Sequence, residues 1–311
     1  KCERPVAIKV LLDERRRQEG AFDRFTQEAK ITAQLEHPNI VPVHELGVEA
    51  RGNVFYSMKL IHGVTLAEVL IGIRKGDQTV IEKYPLGRLL TIFQKLCDAV
   101  AFAHGRGVIH RDLKPSNVMI GEYGEVLVLD WGLAISGAFP PVLNAGPGGR
   151  PAGNSPEVMD EKTTSNAIVG TPSFMAPEQV RGGEASTRSD IYSLGAILYG
   201  ILTLHTPATG KTINETLRRI VAGDIKPPVE YNRKPSREGG QAVLPHCPGG
   251  QIPAFLSDVA MKALSVDPAQ RHPTVTDLQA DVERYQNGMV WHLILDEDFS
   301  APDVLDRWEV V

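Results

Sequence analysis

The chain has 311 residues, 42% hydrophobic and 23% charged, so it is globular and long enough for one large or two modest domains. A formal charge of −5 offers nothing that suggests nucleic acid or an anionic membrane surface as a partner. Cys2, Cys97 and Cys247 are too widely spaced for a zinc motif or a disulfide frame and fit a reducing compartment, and no apolar run reaches the ~18 residues of a membrane-spanning helix.

In chain order, residues 5–12 (PVAIKVLL) predict a strand. A chain that opens on Lys and enters a strand at once reads as an excised piece of a longer protein, from which targeting signals are not judged. Phe22, Phe25, Thr32 and Leu35 follow helical spacing and predict an amphipathic helix over 21–36. Glu28 falls on or beside its inward face, where a carboxylate is costly without a partner. Lys9 in the preceding strand is the natural candidate; the alternative is a solvated Glu28 off the face. Residues 41–46 and 54–59 predict two more strands, and helical pattern resumes from Thr65. Leu89, Leu90, Phe93, Leu96, Val100 and Ala103 mark a long helix over 86–103 that ends at Gly105.

Residues 110–134 read HRDLKPSNVMIGEYGEVLVLDWGLA. Two short apolar runs, 118–120 and 126–129, flank Gly121-Glu122-Tyr123-Gly124 and predict a β-hairpin. With Tyr123-Gly124 as a two-residue turn, Ile120 faces Leu127 and Asn117 faces Asp130. Asp112 lies just before on a Pro-containing loop. Asp and Asn oxygens brought together suit Mg²⁺, which takes few protein oxygens beside phosphates.

Beyond the hairpin, residues 137–156 are half Gly and Pro, too irregular for regular structure. Residues 189–203 (SDIYSLGAILYGILT) are apolar nearly all round and predict a buried helix, with Ser189 or Asp190 capping its start. A second Pro/Gly-rich stretch, 226–253, reads as a loop before a last helix over 274–287. Residues 289–311 change to strand-like alternation and read as a linker or the start of a following β domain.

The stretch His110-Arg111-Asp112-Leu113-Lys114-Pro115-Ser116-Asn117 resembles the catalytic loop of protein kinases, and Asp130-Trp131-Gly132, thirteen residues past Asn117, resembles their metal-binding Asp-Phe-Gly. Gly170-Thr171-Pro172-Ser173-Phe174-Met175-Ala176-Pro177-Glu178 resembles the substrate-docking strip and Ala-Pro-Glu motif of serine/threonine kinases. The resemblance covers roughly residues 5–287 and is strongest to bacterial serine/threonine kinases of the eukaryotic-like type.

It implies an α+β, two-lobed fold: a small β-rich N-lobe (1–61), a large, mainly helical C-lobe (62–288), and a further segment from 289. It implies ATP and Mg²⁺ as cofactors and transfer of the γ-phosphoryl group to Ser or Thr hydroxyls of protein substrates. Under it, Asp112 orients the acceptor hydroxyl as base, Asn117 and Asp130 hold Mg²⁺, and Lys9, fixed by Glu28, grips the phosphates. Lys114 favours Ser/Thr acceptors, and Thr171 steadies Asp112 and Lys114. Met58 stands as gatekeeper, with Lys59, Leu60 and Ile61 meeting the adenine. Asp190 holds the catalytic-loop backbone, and Arg271 pairs with Glu178. Arg111 receives a phosphate on Thr163, Thr164 or Ser165 after autophosphorylation, with a homodimer serving that reaction in trans. A cytoplasmic kinase domain is expected, with any membrane anchor outside this piece.

Two departures stand out. Trp131 replaces Phe; its larger indole needs a partner for its N–H, which puts the in/out switching of the motif in question. No Gly-rich loop precedes Lys9, and the expectation is truncation of the N-lobe. A pseudokinase scaffold and a small-molecule phosphotransferase are the competing readings. The first is opposed by the presence of Lys9, Glu28, Asp112, Asn117 and Asp130, the second by the docking strip and Arg271.

Overall fold

The computed structural model describes residues 4–12, 21–49, 52–131, 135–136, 172–232 and 244–288. β-branched and aromatic residues lay down β1 (Val6–Val10), β2 (Val43–Val48) and β3 (Val54–Lys59) as an antiparallel sheet in the order β1-β3-β2. Its register sets Lys9 directly opposite Tyr56 and Ala7 opposite Met58. Helix α1 (Ala21–Gln34) covers this sheet, burying Phe25, Glu28, Ala29 and Thr32 along one face. Phe22 shares that spacing but is 45% exposed, because it stands in the first turn, outside the small core of Leu11, Phe25, Ala29, Val54 and Tyr56.

The far end of α1 belongs to the other lobe's core. Ile31, Leu35 and Ile40 join the large apolar cluster. The segment after the helix docks on the second sheet: Val128 N–H donates to Asn39 O at 2.8 Å and Asn39 Nδ2 to Val126 O at 2.9 Å. That sheet comprises β4 (Gly63–Thr65), β6 (Val118–Gly121) and β7 (Val126–Val128), in the order β4-β6-β7. A short pair, β5 (Val108–Ile109) with β8 (Ile135–Ser136), lies beside it in sequence.

The β6–β7 hairpin differs from the sequence expectation by one residue. Val118 pairs with Val128, Met119 with Leu127 and Ile120 with Val126. The turn holds three residues, not two, because Gly124 takes the left-handed conformation (φ 84°) that closes a three-residue loop, and Gly121 N–H donates to Glu125 O at 2.8 Å. Asn117 therefore faces Leu129, whose N–H it accepts at 2.8 Å, rather than Asp130.

The rest is helical. Thr65 caps α2 (Leu66–Arg74) through a capping box with Glu68. Then come α3 (Gln78–Lys83), α4 (Leu86–Gly105), α5 (Pro177–Val180), α6 (Thr187–Thr203), α7 (Ile213–Ala222), α8 (Ala254–Ala263) and α9 (Val275–Gln286). Helix α6 is buried from Ser189 to Thr203 without a break, as its all-round apolar sequence predicts. Gly195 lets α8 approach: a Cβ there would lie 2.6 Å from that of Ala263. The cap of α6 is Ser186, whose side chain accepts from Arg188 N–H, not Ser189 or Asp190. Ser189 completes the capping box, its Oγ accepting from Ser186 N–H at 3.0 Å while donating to Glu178 Oε1, and Asp190 is committed to tertiary contacts instead.

Three histidines, His110, His246 and His272, are buried, and burial holds each below its ordinary value of 6.5. An unfolded chain binds the protons that these rings refuse, so their contribution to stability is complete above about 6.5 and declines as pH falls from there through the folded values. The urea midpoint is expected to be lower at about pH 5.5 than at about pH 7.5. A midpoint that rises on acidification contradicts this.

Among the described residues no helix is long and apolar enough to cross a membrane. The features expected at residues 137–156, Thr163, Thr164, Ser165, Thr171 and 289–311 lie outside the described residues.

Candidate active site

Two clusters of charged side chains form, one where the sheet meets α1 and one on the loop between β5 and β6. In the first, Lys9 projects from β1, Glu28 from α1 and Asp130 from the end of β7. Lys9 Nζ lies 2.5 Å from Glu28 Oε1 and 3.0 Å from Asp130 Oδ1. Glu28 is only 7% exposed, so its partner is obligatory, and the solvated alternative is excluded. A second donor, absent from the sequence reading, is Tyr56: its hydroxyl donates to Glu28 Oε1 at 2.7 Å.

Burial alone would lower the pKa of the Lys9 ammonium, but Glu28 and Asp130 outweigh it and raise it. Burial pushes the Glu28 carboxyl up, with Lys9 and Tyr56 offsetting part of that. The lysine's direction describes the pair best, since two carboxylates flank one ammonium. Asp130 is opposed by burial yet sits below its ordinary range, because of Lys9.

Both clusters draw on an unusual backbone, and at Arg111 in the second its support is explicit. Arg111 (φ 70°) and Asp130 (φ 61°) are both left-handed, which non-glycine residues adopt only when the surroundings enforce it. The enforcement is visible. Asp190, fully buried in α6, accepts from His110 N–H at 2.8 Å and Arg111 N–H at 2.9 Å. It also bonds His104 Nε2 at 2.8 Å. Gln179 of α5 donates through Nε2 to Arg111 O at 3.1 Å. His104 and Gln179 escaped the sequence reading; Gln179 reaches the Arg111 backbone from 68 residues away and His104 the Asp190 carboxylate from 86, and no local pattern marks them.

On this held loop Lys114 Nζ donates to Asp112 Oδ2 at 2.6 Å, and Asn117 Nδ2 donates to Asp112 O at 2.9 Å. Pro115 opens the short 3₁₀ turn that brings Asn117 back under Asp112. His110 Nδ1 accepts from Asp112 N–H at 3.3 Å, so its proton sits on Nε2, which faces Leu129 O at 3.2 Å. Its ring packs on Trp131, centroids 4.5 Å apart. Trp131 is 1% exposed, and its Nε1 has no hydrogen-bond partner among the described residues.

Asn117 and Asp130 are joined through backbone: Asn117 O takes the N–H of Leu129, the residue before Asp130. With Nδ2 occupied by Asp112 O, the Asn117 amide presents its oxygen, and Asp130 adds a carboxylate. Such a hard-oxygen pair fits Mg²⁺ bound partly by phosphates. Among the described residues no group of three or more His, Cys, Asp or Glu could hold a metal.

Of the residues expected at the adenine, Met58 is half-buried against the small core, Lys59 and Leu60 are exposed, and Ile61 is half-buried. Lys59 N–H is taken by Pro42 O at 3.1 Å. Farther out, Arg271 makes a two-pronged pair with Glu178, Nη1 to Oε1 and Nη2 to Oε2 both at 2.8 Å.

The protein kinase domain model matches residues 1–281. The serine/threonine-protein kinases PknD of Chlamydia abortus and Chlamydia felis are each 37% identical to the chain, over 298 and 290 residues, and PknD of Protochlamydia amoebophila is 34% identical over 293. Each alignment covers 92% of this chain and 28–29% of the relative, so the chain spans less than a third of those proteins. A domain model that spans nearly the whole chain, over a lysine–glutamate pair and a clamped His-Arg-Asp loop, leaves one assignment: the chain belongs to the protein kinase domain family.

Proposed function

We propose that the protein transfers the γ-phosphoryl group of ATP to Ser or Thr hydroxyls of protein substrates. The observation that carries this reading is the Lys9–Glu28 pair reaching Asp130, within a chain that also clamps Asp112 and Asn117 on one loop. The lobes divide near residue 61, the nucleotide lying between them against Met58, Lys59, Leu60 and Ile61.

Phosphoryl transfer depends on positioning and charge neutralisation more than on covalent chemistry. Lys9 meets the α and β phosphates, and Glu28 keeps its ammonium in place. Asn117 and Asp130 hold Mg²⁺, which when bound neutralises charge on the phosphate oxygens. Asp112 accepts a hydrogen bond from the acceptor hydroxyl and orients its oxygen for attack. Lys114, 2.6 Å from the Asp112 carboxylate, shares the acceptor side of the reaction with it and favours Ser or Thr acceptors. Thr171 steadies this pair. Arg111 is the proposed receiver of a phosphate placed on Thr163, Thr164 or Ser165 by a second copy of the protein. Among the described residues no feature of the site favours a scaffold without catalysis.

The test is incubation of the full-length protein with γ-labelled ATP, with and without Mg²⁺, and with a mixed protein substrate. Label on phosphoserine and phosphothreonine that vanishes without Mg²⁺ is expected. Absence of transfer under all conditions, or label on tyrosine alone, overturns the reading. Mass spectrometry of the active protein is expected to find phosphate within Thr163–Ser165; an unmodified cluster removes that part.

A further inference from the structure

We propose that Tyr56 is a positioning residue, a second clamp that keeps Glu28 and helix α1 in register with Lys9. The proposal rests on the kinase reading above and assigns a new residue to the same site.

The geometry starts with the sheet. Lys9 and Tyr56 are direct cross-strand neighbours on β1 and β3, so both side chains reach the same face. Helix α1 lies on that face, and Tyr56 holds it at two points one turn apart. Its ring packs on Phe25, centroids 5.2 Å apart, and its hydroxyl donates to Glu28 Oε1. At 4% exposure the Tyr56 side chain has little freedom, whereas the Lys9 side chain is 37% exposed.

The two donors to Glu28 are therefore unequal. Lys9 divides its ammonium between Glu28 and Asp130 and, in the reaction, must also meet phosphate. Each new claim on that ammonium weakens its hold on Glu28. A carboxylate buried to 7% exposure cannot fall back on water. The Tyr56 hydroxyl answers both needs. Buried against Phe25 and Glu28, it stays on Glu28 Oε1 while Lys9 turns to the substrate. The Lys9 ammonium also lies 5.8 Å from the Tyr56 ring centroid, so the ring forms one wall of the lysine's path.

The experiment uses the full-length protein as Tyr56→Phe, Glu28→Gln and the double variant. Phe keeps the ring on Phe25 and removes only the hydroxyl. The expected result for Tyr56→Phe is a rise in KM for ATP of about ten-fold, with kcat lowered less than about three-fold. In the Glu28→Gln background the same change is expected to add nothing, since the two groups act as one unit. An unchanged KM in Tyr56→Phe, or an effect that adds in full to that of Glu28→Gln, overturns the proposal and leaves Tyr56 as a packed core residue. Amide exchange over residues 21–34 is read on the same samples. If the wild-type protein transfers no phosphate, the kinase reading fails by itself. Exchange then decides this one: faster in Tyr56→Phe supports the clamp, unchanged refutes it.

Discussion

Asp112→Ala is expected to lower turnover by about 10²–10⁴-fold, the range for losing a positioned base, with KM for ATP nearly unchanged. The chain should still fold, because the loop that carries Asp112 is held by backbone and not by this carboxylate. Asp190 grips the N–H groups of His110 and Arg111, Gln179 grips Arg111 O, and Asn117 grips Asp112 O. None of these bonds uses the side chain that the variant removes. Lys114 loses its partner, and its side chain, only 19% exposed, has to turn to water, at a stability cost of about 1–3 kcal/mol. Circular dichroism and the urea midpoint check the fold, and labelled-phosphate transfer checks the rate. Turnover equal to wild type would remove Asp112 from the mechanism and, with it, the proposed role of the whole loop.

Retention of the fold in Asp112→Ala needs the clamp around residue 111, and the clamp is the part least visible in the sequence. Lys9 and Glu28 could be paired in advance because a carboxylate on an inward helix face must find a cation, whatever the fold. Asp190 and the Arg271–Glu178 pair were legible only through the resemblance, since each joins segments tens of residues apart. His104 and Gln179 carry no such mark. Tyr56 was visible as a strand residue, but its meeting with Glu28 depends on the register of β1 with β3, which no local pattern specifies.

The hairpin shows the limit at finer scale. Its existence followed from two apolar runs around Gly121-Glu122-Tyr123-Gly124, yet its register turned on Tyr123, which a two-residue type I′ turn needs left-handed and which is not; Gly124 alone is. With a three-residue turn, Asn117 pairs with Leu129, and Asp130 falls one step past the paired strand. There its own left-handed backbone, rather than cross-strand pairing, turns its carboxylate towards Lys9.

Arg271→Ala is expected to cost about 3–5 kcal/mol of stability, the usual penalty for breaking a buried pair from one side. Arg271 is 2% exposed. Besides the two bonds to Glu178, it donates to Ser265 O and Arg188 O, each at 2.8 Å, and to Val266 O at 3.2 Å. It also lies 5.0 Å from the Tyr192 ring centroid. Alanine leaves three carbonyls and a carboxylate without their donor, in a region where α6 and the loops around it are buried. Lysine cannot replace it, because one ammonium does not reproduce a planar fork of five N–H groups. Burial favours the neutral Glu178 acid, but Arg271 and Ser189 overcome this and hold its pKa below the ordinary 4.5. The folded pKa is the lower one, so the pair's contribution is complete above about 4.5 and is lost as pH falls through the folded value. In urea titrations at neutral pH the midpoint of Arg271→Ala should fall sharply, and the drop should shrink as the pH is taken below about 4.5. A variant with the wild-type midpoint at neutral pH would mean that the fork merely fills space. Phosphate transfer measured where the variant is still folded separates this role from chemistry: Arg271 touches no proposed reacting group, so folded Arg271→Ala should retain a far larger share of turnover than Asp112→Ala.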